Sequence, residues 1–530
     1  MTARPDPPRA RHWPDVPATR MEFWGDRVVR AFVERPPNLH AMLAHVFDRF
    51  PDREAVIDGE TRLTFRELRR RADRIAAEMR GRGVAPGDRV MIVVANRWHF
   101  IALLVAAIRL GAIAVPLNVR ASASEIEHIA RDSGTTLLFA EGSLIEEGLV
   151  DPGGVADAAL VAVDAVEEWV DGTGSLLDVA EPARDEHDIA VILYTSGTTG
   201  RPKGAMLTHA NIVHSCLHYT HAFAVSEEDR VSLVVPASHV TGLVAVILAP
   251  LSAGAAVICA RRFDAQGFVE DAEREGLTLT VLVPAMYNLL LLRTDMRGRD
   301  LSRWRIGAFG GAPMPVATME RLGEVLPDLT LVQTYGSTET ASPATIMPLG
   351  RQRDALPSVG APVACADIRV MDEGGREVET GAPGEIWIGG PMVVPGYWQD
   401  PERTAESFPA GYWRSGDVGR FDADGLLHIH DRIKDVVNRG GYKVWSAEVE
   451  NALCFHDGVA EAAVVPREDP VLGEKTHAVV VLAGPVTEDD LRAHCSRHLA
   501  DYKVPDTFDL TAEPLPRNAN GKVVKAQLRA

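Results

Sequence analysis

The sequence YTSGTTGRPKG, residues 194–204, joins an apolar run at residues 189–194 (IAVILY) to a helical stretch at residues 211–221. Small hydroxyl residues and glycines let backbone N–H groups come close to an anion. Thr195, Ser196, Thr198 and Thr199 add hydroxyl donors, Gly197 keeps the loop slim, and Lys203 adds positive charge. A Walker A loop would need Gly-Lys followed by Ser or Thr, whereas here Gly204 follows Lys203. The bland reading is a flexible surface turn. Five hydroxyl-bearing residues and a lysine within eleven positions, at the end of a buried strand, favour phosphate binding.

Outward from this loop, strand-like and helical stretches alternate. Residues 89–95 (RVMIVVA) are β-branched and lead into an apolar helix at 99–110, then a short buried strand at 112–116. Residues 279–283 and 329–332 look similar. Such alternation predicts an α/β fold with helices layered on sheet faces. Residues 360–390 predict a small β-rich subdomain, with short strands between Gly and Pro turns. Residues 231–260 carry no charge, a length that could span a bilayer. Pro236, Gly242, Pro250 and Gly254 break the run, so it reads as buried strands at 231–235 and 255–260 around a buried helix at 242–249.

The last hundred residues change character. After the charged DRIKD run at 431–435, a helix is expected at 446–453 with Ser446 as its N-cap. Strands at 460–465 and 476–481 and a helix at 488–499 complete an α+β unit. The expected division is a disordered lead-in through residue 30, a large domain at 31–433, and a small mobile domain at 434–530 hinged at Lys434.

Composition bounds the partners. Of 530 residues, 46% are hydrophobic and 24% charged, which excludes a disordered or collagen-like chain. Asp and Glu number 74 against 55 Lys and Arg, a formal charge of −19, so nucleic acid and anionic membrane are poor partners. Five cysteines, none within 40 positions of another, fit a reducing, cytoplasmic setting without a zinc ribbon.

A second segment, QTYGSTET at residues 333–340, follows another strand. Glu339 is placed to hold a hard cation such as Mg²⁺, which needs carboxylate oxygen beside phosphate. Thr338 can donate to phosphate, and Tyr335 can stack on a base. His214, His218 and His221 share a helix face, but with no carboxylate or thiol beside them they read as packing rather than metal ligands. The set His494, Cys495 and His498 reads the same way.

YTSGTTGRPKG, YGSTE at 335–339, YWRSGDVG at 412–419, DRIKDVVNRGGYK at 431–443 and PRNANGKVVK at 516–525 occur in this order. Together they resemble the adenylate-forming superfamily of acyl-CoA synthetases, nonribosomal adenylation domains and luciferases. The resemblance runs from about Leu39 to the C-terminus. It implies a large N-terminal domain of layered α/β subdomains and a small mobile C-terminal domain. It implies that the segment from Thr195 to Lys203 grips the ATP β- and γ-phosphates, and that Gly310, Gly311 and Ala312 lie along adenine and the acyl group. By the same resemblance Tyr335 and Gly336 flank adenine, Thr338 touches the α-phosphate, and Glu339 ligates Mg²⁺. Asp417 takes both ribose hydroxyls, Arg432 assists there, and Lys522 bridges the substrate carboxylate and the α-phosphate.

In the second step that the resemblance implies, the small domain turns about Lys434 and brings Gly440, Gly441 and Lys443 to the thiol side. His239 would gate the thiol tunnel and border the acyl pocket, a satisfied core histidine being the bland alternative. The expected enzyme is an ATP-dependent acid–thiol ligase that forms acyl-AMP and passes the acyl group to coenzyme A. The competing readings are loading of a carrier-protein thiol and transfer to an amine or other nucleophile. Expected partners are a small-molecule carboxylic acid, with a carrier protein as the alternative acceptor, and a second copy of the chain.

Overall fold

The computed structural model describes the chain except residues 1–11, 14, 152–154, 156–157, 172–183, 196–201, 313, 352–357, 518–522 and 530. Among the described residues, nine strands form the largest sheet. Its centre is parallel: Thr330–Ser337, Ile306–Phe309, Leu279–Leu282, Arg230–Leu233 and Ala256–Cys259 lie side by side in that order. Leu279–Leu282, Ile306–Phe309 and Ala256–Cys259 are mostly apolar and buried at every position, the pattern of parallel strands under crossover helices. A second sheet of six described strands carries Arg89–Val93 near its middle, and Ile189–Thr195 and Lys203–Thr208 toward one edge.

Helix Trp98–Leu110 is buried at every position, as its largely apolar sequence requires, with the buried Arg109 paired to Asp73, and Gly111 ends it in the left-handed conformation. One apolar cluster takes in Leu104, Ile92 of the six-stranded sheet and Val231 of the nine-stranded sheet, so the two sheets share a core. A four-stranded antiparallel sheet runs from Asp367–Met371 to Leu427–Arg432; its first two strands lie in the 360–390 stretch expected to be β-rich, and the other two extend the unit to residue 432. Residues 437–508 pack about a core of their own that includes Val437, Val464, Val480 and Leu491.

Three local expectations need correction. The lead-in is not disordered through residue 30: Thr19–Trp24 and Arg27–Phe32 form an antiparallel hairpin. Trp24, Val29 and Ala31 bury against Ala210, and Arg35 ties Glu22 to Glu186, contacts a local reading cannot foresee. Second, the buried helix of the uncharged run is a π-helix over Thr241–Leu248. Third, Ser446 is the first helical residue and not the cap. Asp431, fifteen positions earlier, accepts from its backbone N–H and, at 3.1 Å, from its Oγ.

No described helix is long and apolar enough to cross a membrane. Four of the five cysteines, Cys216, Cys259, Cys365 and Cys495, are buried.

Candidate active site

Four adjacent parallel strands, Arg230–Leu233, Leu279–Leu282, Ile306–Phe309 and Thr330–Ser337, end at one edge of the sheet. In open α/β sheets ligands bind outside the carboxyl ends of the strands. The segments at this edge carry His239, Val283, Gly310 with Gly311, and the strand end and turn from Tyr335 to Glu339.

The two glycines serve different needs. Gly310 donates its N–H to Leu282 O at 3.2 Å, and a Cβ there would lie 2.8 Å from Thr334 O. Gly311 has φ +79°, and among the described residues a Cβ there would meet only Val283 Cγ1, at 3.9 Å. Gly336 has the strictest requirement, since a Cβ would fall 1.5 Å from Ser342 O. That close approach lets the chain turn sharply through Thr338–Thr340 and return along Ser342–Ile346. Ala341 (φ 46°) and Ser342 (φ 100°) complete the reversal in conformations that L-residues avoid. Backbone strain of this kind clusters at functional sites. Tyr219 OH and Ser342 Oγ, 2.9 Å apart, hold the turn from below.

Glu339 is buried at the tip of this turn. Tyr397 OH donates to its Oε1 at 2.9 Å and Ser337 Oγ to its Oε2 at 2.5 Å. Each carboxylate oxygen therefore has one neutral donor and keeps acceptor capacity for a hard cation. Lys203 Nζ lies over the Tyr397 ring, 5.1 Å from its centroid. Burial pulls the Lys203 ammonium below its ordinary pKa, and burial with the Glu339 charge raises the Tyr397 phenol. Residues 394–398 stitch these parts together. Trp398 N–H donates to Gly204 O at 2.7 Å, Met206 N–H to Gly396 O at 3.1 Å, and Val394 N–H to Glu339 O at 3.0 Å.

A second cluster is built about Tyr335. Its OH donates to Asp417 Oδ2 at 2.7 Å, and burial together with that carboxylate raises its pKa. Asp417 is buried in the strand Trp413–Phe421 and pairs through Oδ1 with Arg432 Nε at 3.2 Å. Arg432 stands opposite Asp417 in the register of Leu427–Arg432, so the sheet itself sets the pair.

Thus Lys203, Tyr335, Gly336, Thr338, Glu339, Asp417 and Arg432 are joined through direct contacts or chain adjacency. Thr195 stands opposite Lys203 at the base of the loop. Ala312 is exposed at the same sheet edge. Ser196, Gly197, Thr198, Thr199 and Lys522 lie outside the described residues. Gly440 (φ 56°) and Gly441 (φ 89°) turn the chain between Val437–Arg439 and Tyr442–Val444. Lys443 forms its ion pair with Glu373, at 3.2 Å, rather than with a residue of the crevice. His239 Nδ1 accepts from Thr241 N–H at 3.3 Å, just before the π-helix.

The structure adds residues that sequence reading missed. Tyr397 and Ser337 orient Glu339, but no local pattern marks a tyrosine 58 positions away. Arg529 Nη2 donates to both Lys434 O and Asp435 Oδ1 at 2.7 Å. Lys525 Nζ donates to Ser446 Oγ at 2.7 Å and pairs with Glu450 at 2.6 Å. His214 and His218 pack on Phe32 and accept backbone N–H groups of Phe32 and Cys365, and no metal-binding group occurs among the described residues.

Comparison with known proteins agrees with this geometry. The AMP-binding enzyme profile matches residues 43–398, and the AMP-binding enzyme C-terminal domain matches residues 448–522. The chain is 36% identical to feruloyl-CoA synthase of an Amycolatopsis species over 486 residues, 90% of this chain and 96% of that protein. It is 33% identical to a fatty acid–[acyl-carrier-protein] ligase of Streptomyces coeruleorubidus over 497 residues, 90% and 93% of the two chains. Among solved structures, o-succinylbenzoate CoA synthetase of Bacillus subtilis superposes with TM-scores of 0.85, bound to its acyl-adenylate, and 0.84, bound to ATP and magnesium. Identity is 30% in both; coverage of this chain and that chain is 94% and 99% in the first, 92% and 98% in the second. The chain belongs to the AMP-binding enzyme family.

Proposed function

We propose that the protein is an ATP-dependent ligase that activates a carboxylic acid as acyl-AMP and transfers the acyl group to coenzyme A. The observation that carries this reading is the buried Glu339, oriented by Tyr397 and Ser337 and adjoining Lys203, on the same turn as Tyr335 and its partner Asp417.

In the first step a carboxylate oxygen attacks the α-phosphorus of ATP, and the bond to pyrophosphate breaks. Both reactants are anions, so positioning and charge neutralisation do most of the work. Lys203 and the loop from Thr195 hold the β- and γ-phosphates, and Thr338 donates to the α-phosphate. Glu339 holds Mg²⁺, which supplies positive charge beside the phosphates when bound. Asp417 has two acceptor oxygens for the ribose hydroxyls, and Tyr335 and Arg432 fix its orientation. Gly310, Gly311 and Ala312 line the space between adenine and the acyl group. Lys522 contacts the attacking carboxylate and the α-phosphate.

In the second step the thiol sulfur attacks the acyl carbonyl, the thiol proton leaves, and the bond to AMP breaks. The small domain, residues 434–530, turns about Lys434, removing Lys522 and presenting Gly440, Gly441 and Lys443. His239 borders the path of the thiol.

The test separates the two steps. Lys522→Ala should lower acyl-AMP formation by about a hundredfold or more, the scale of one lost preorganised donor. Thioester formation from preformed acyl-AMP should stay within a few-fold of the parent. Equal loss in both half-reactions would remove Lys522 from the adenylation step. A carrier protein as acceptor is the second reading, favoured by the 33% identity to a carrier-protein ligase. Consumption of the adenylate by free coenzyme A decides against it.

A further inference from the structure

The acyl pocket, on the ligase reading above, lies where the four parallel strands end. Its walls are the loops that follow those strands, and their charge is legible residue by residue. Residues 234–241 (VVPASHVT) carry no Lys or Arg, nor do residues 283–292 (VPAMYNLLLL) or 310–312 (GGA). Residues 338–346 (TETASPATI) carry one charge, Glu339, which is negative and already engaged by Tyr397 and Ser337.

His239 turns its Nδ1 to its own chain, where Thr241 N–H donates to it at 3.3 Å. Lys203 and Arg432 belong to the phosphate and ribose ends. Arg293 is at the far end of helix Pro284–Arg293, about 14 Å from its start at a rise of 1.5 Å per residue. Arg261 and Arg262 are exposed and follow Ala256–Cys259, the strand beyond the one that leads to His239.

Among the described residues the rest of the wall is apolar or neutral. Val283 faces the open space at Gly311, and Met286 packs partly buried between two apolar clusters. Asn288 and Thr318 satisfy one another at 2.8 Å. A second carboxylate placed against these segments would gain no Lys or Arg counter-ion from them, inside a chain of formal charge −19.

We propose that the acid is a monocarboxylate whose remaining part is uncharged, aryl or apolar, and that diacids are rejected by the charge of the second carboxylate rather than by its size. Family membership does not settle this, since a feruloyl-CoA synthase and an o-succinylbenzoate CoA synthetase are both relatives.

The experiment uses the full-length wild-type chain with ATP and Mg²⁺ in pyrophosphate exchange. Acids are supplied as matched pairs, a diacid and its mono-methyl ester, in aryl and alkyl series. The ester is larger and neutral at the distal end. The expected result is a kcat/KM at least about a hundredfold higher for the half-ester in the best series. Equal use of the two, or preference for the diacid, overturns the proposal. Exchange with no acid of either kind overturns the ligase reading itself, and the proposal with it. A second arm installs the missing cation: Val283→Arg should narrow the half-ester preference at least tenfold by raising diacid use. An unchanged ratio in a folded, exchange-competent variant means the rejection is not electrostatic.

Discussion

Gly311 shows how one residue carries two constraints that a sequence cannot separate. Its φ of +79° disfavours any side chain, at about 1–2 kcal/mol, whatever is bound. The space beyond its Cα is separate, and open. Gly311→Ala adds the strain and little volume, whereas Gly311→Leu adds the same strain and fills the space. The KM for the acid should rise about tenfold more in the leucine variant than in the alanine variant, with the KM for ATP nearly equal in the two. Steady-state constants over a chain-length series check this. Parallel loss of ATP and acid binding would move Gly311 to the adenine side. Glu339 and Tyr397 illustrate the converse case, in which the motif names the carboxylate but only the fold supplies the phenol that aims it.

At the scale of elements, the helix Ser446–Cys454 begins on a side chain from a different sheet. Asp431 caps it, Lys525 reaches the same Ser446, and Glu450 holds Lys525. Burial raises the pKa of both Asp431 and Glu450, so the cluster depends on Lys525 remaining paired. Asp431→Ala removes a cap worth about 0.5–2 kcal/mol. Thermal unfolding should register that loss. Because Asp431 precedes Lys434 and Ser446 follows it, the ratio of adenylation to thioester rates should also move several-fold in single turnovers. An unchanged ratio would reduce the clasp to a stabilising cap.

The N-terminal hairpin gives a pH-dependent counterpart. Hydrogen bonds from Arg35 above all, then Arg20 and Trp24, hold the Glu22 carboxyl at about 2, against an ordinary 4.5. A depressed pKa means that the stabilisation is complete above about pH 4.5 and fades as pH falls toward 2. Hydrogen exchange over residues 19–32, corrected for intrinsic rates, should therefore accelerate in that window. In Glu22→Gln the protection should be weak at every pH, and the step absent.

At the scale of the whole molecule, the two steps ask the same crevice to serve an anionic nucleophile and then a thiol. Lys434 sits in a short 3-10 turn between the four-stranded sheet and the small-domain core, with its carbonyl held by Arg529. Proline would fix φ near −65° and remove a donor. Lys434→Pro should preserve pyrophosphate release within a few-fold and lower thioester output by at least tenfold if the adenylating arrangement is the one locked. Unchanged single-turnover thioester formation would place the hinge elsewhere. The sequence by itself determined the α/β class and the β-rich stretch, through apolar runs of strand length and glycine-rich turns, while the resemblance of its motifs supplied the expected roles of the Lys203, Glu339 and Asp417 segments. It could not determine that residues 19–32 form a hairpin, since their burial is against Ala210 and their anchor is Glu186. Nor could it foresee the π-helix at Thr241–Leu248, whose second residue, Gly242, comes so close to Pro236 O that a Cβ would lie 2.2 Å away. The cap on Ser446 and the phenol on Glu339 likewise come from distant strands. Tertiary structure decided these because each is a contact between residues far apart in the chain, and local propensity carries no information about which distant group a buried polar atom will meet.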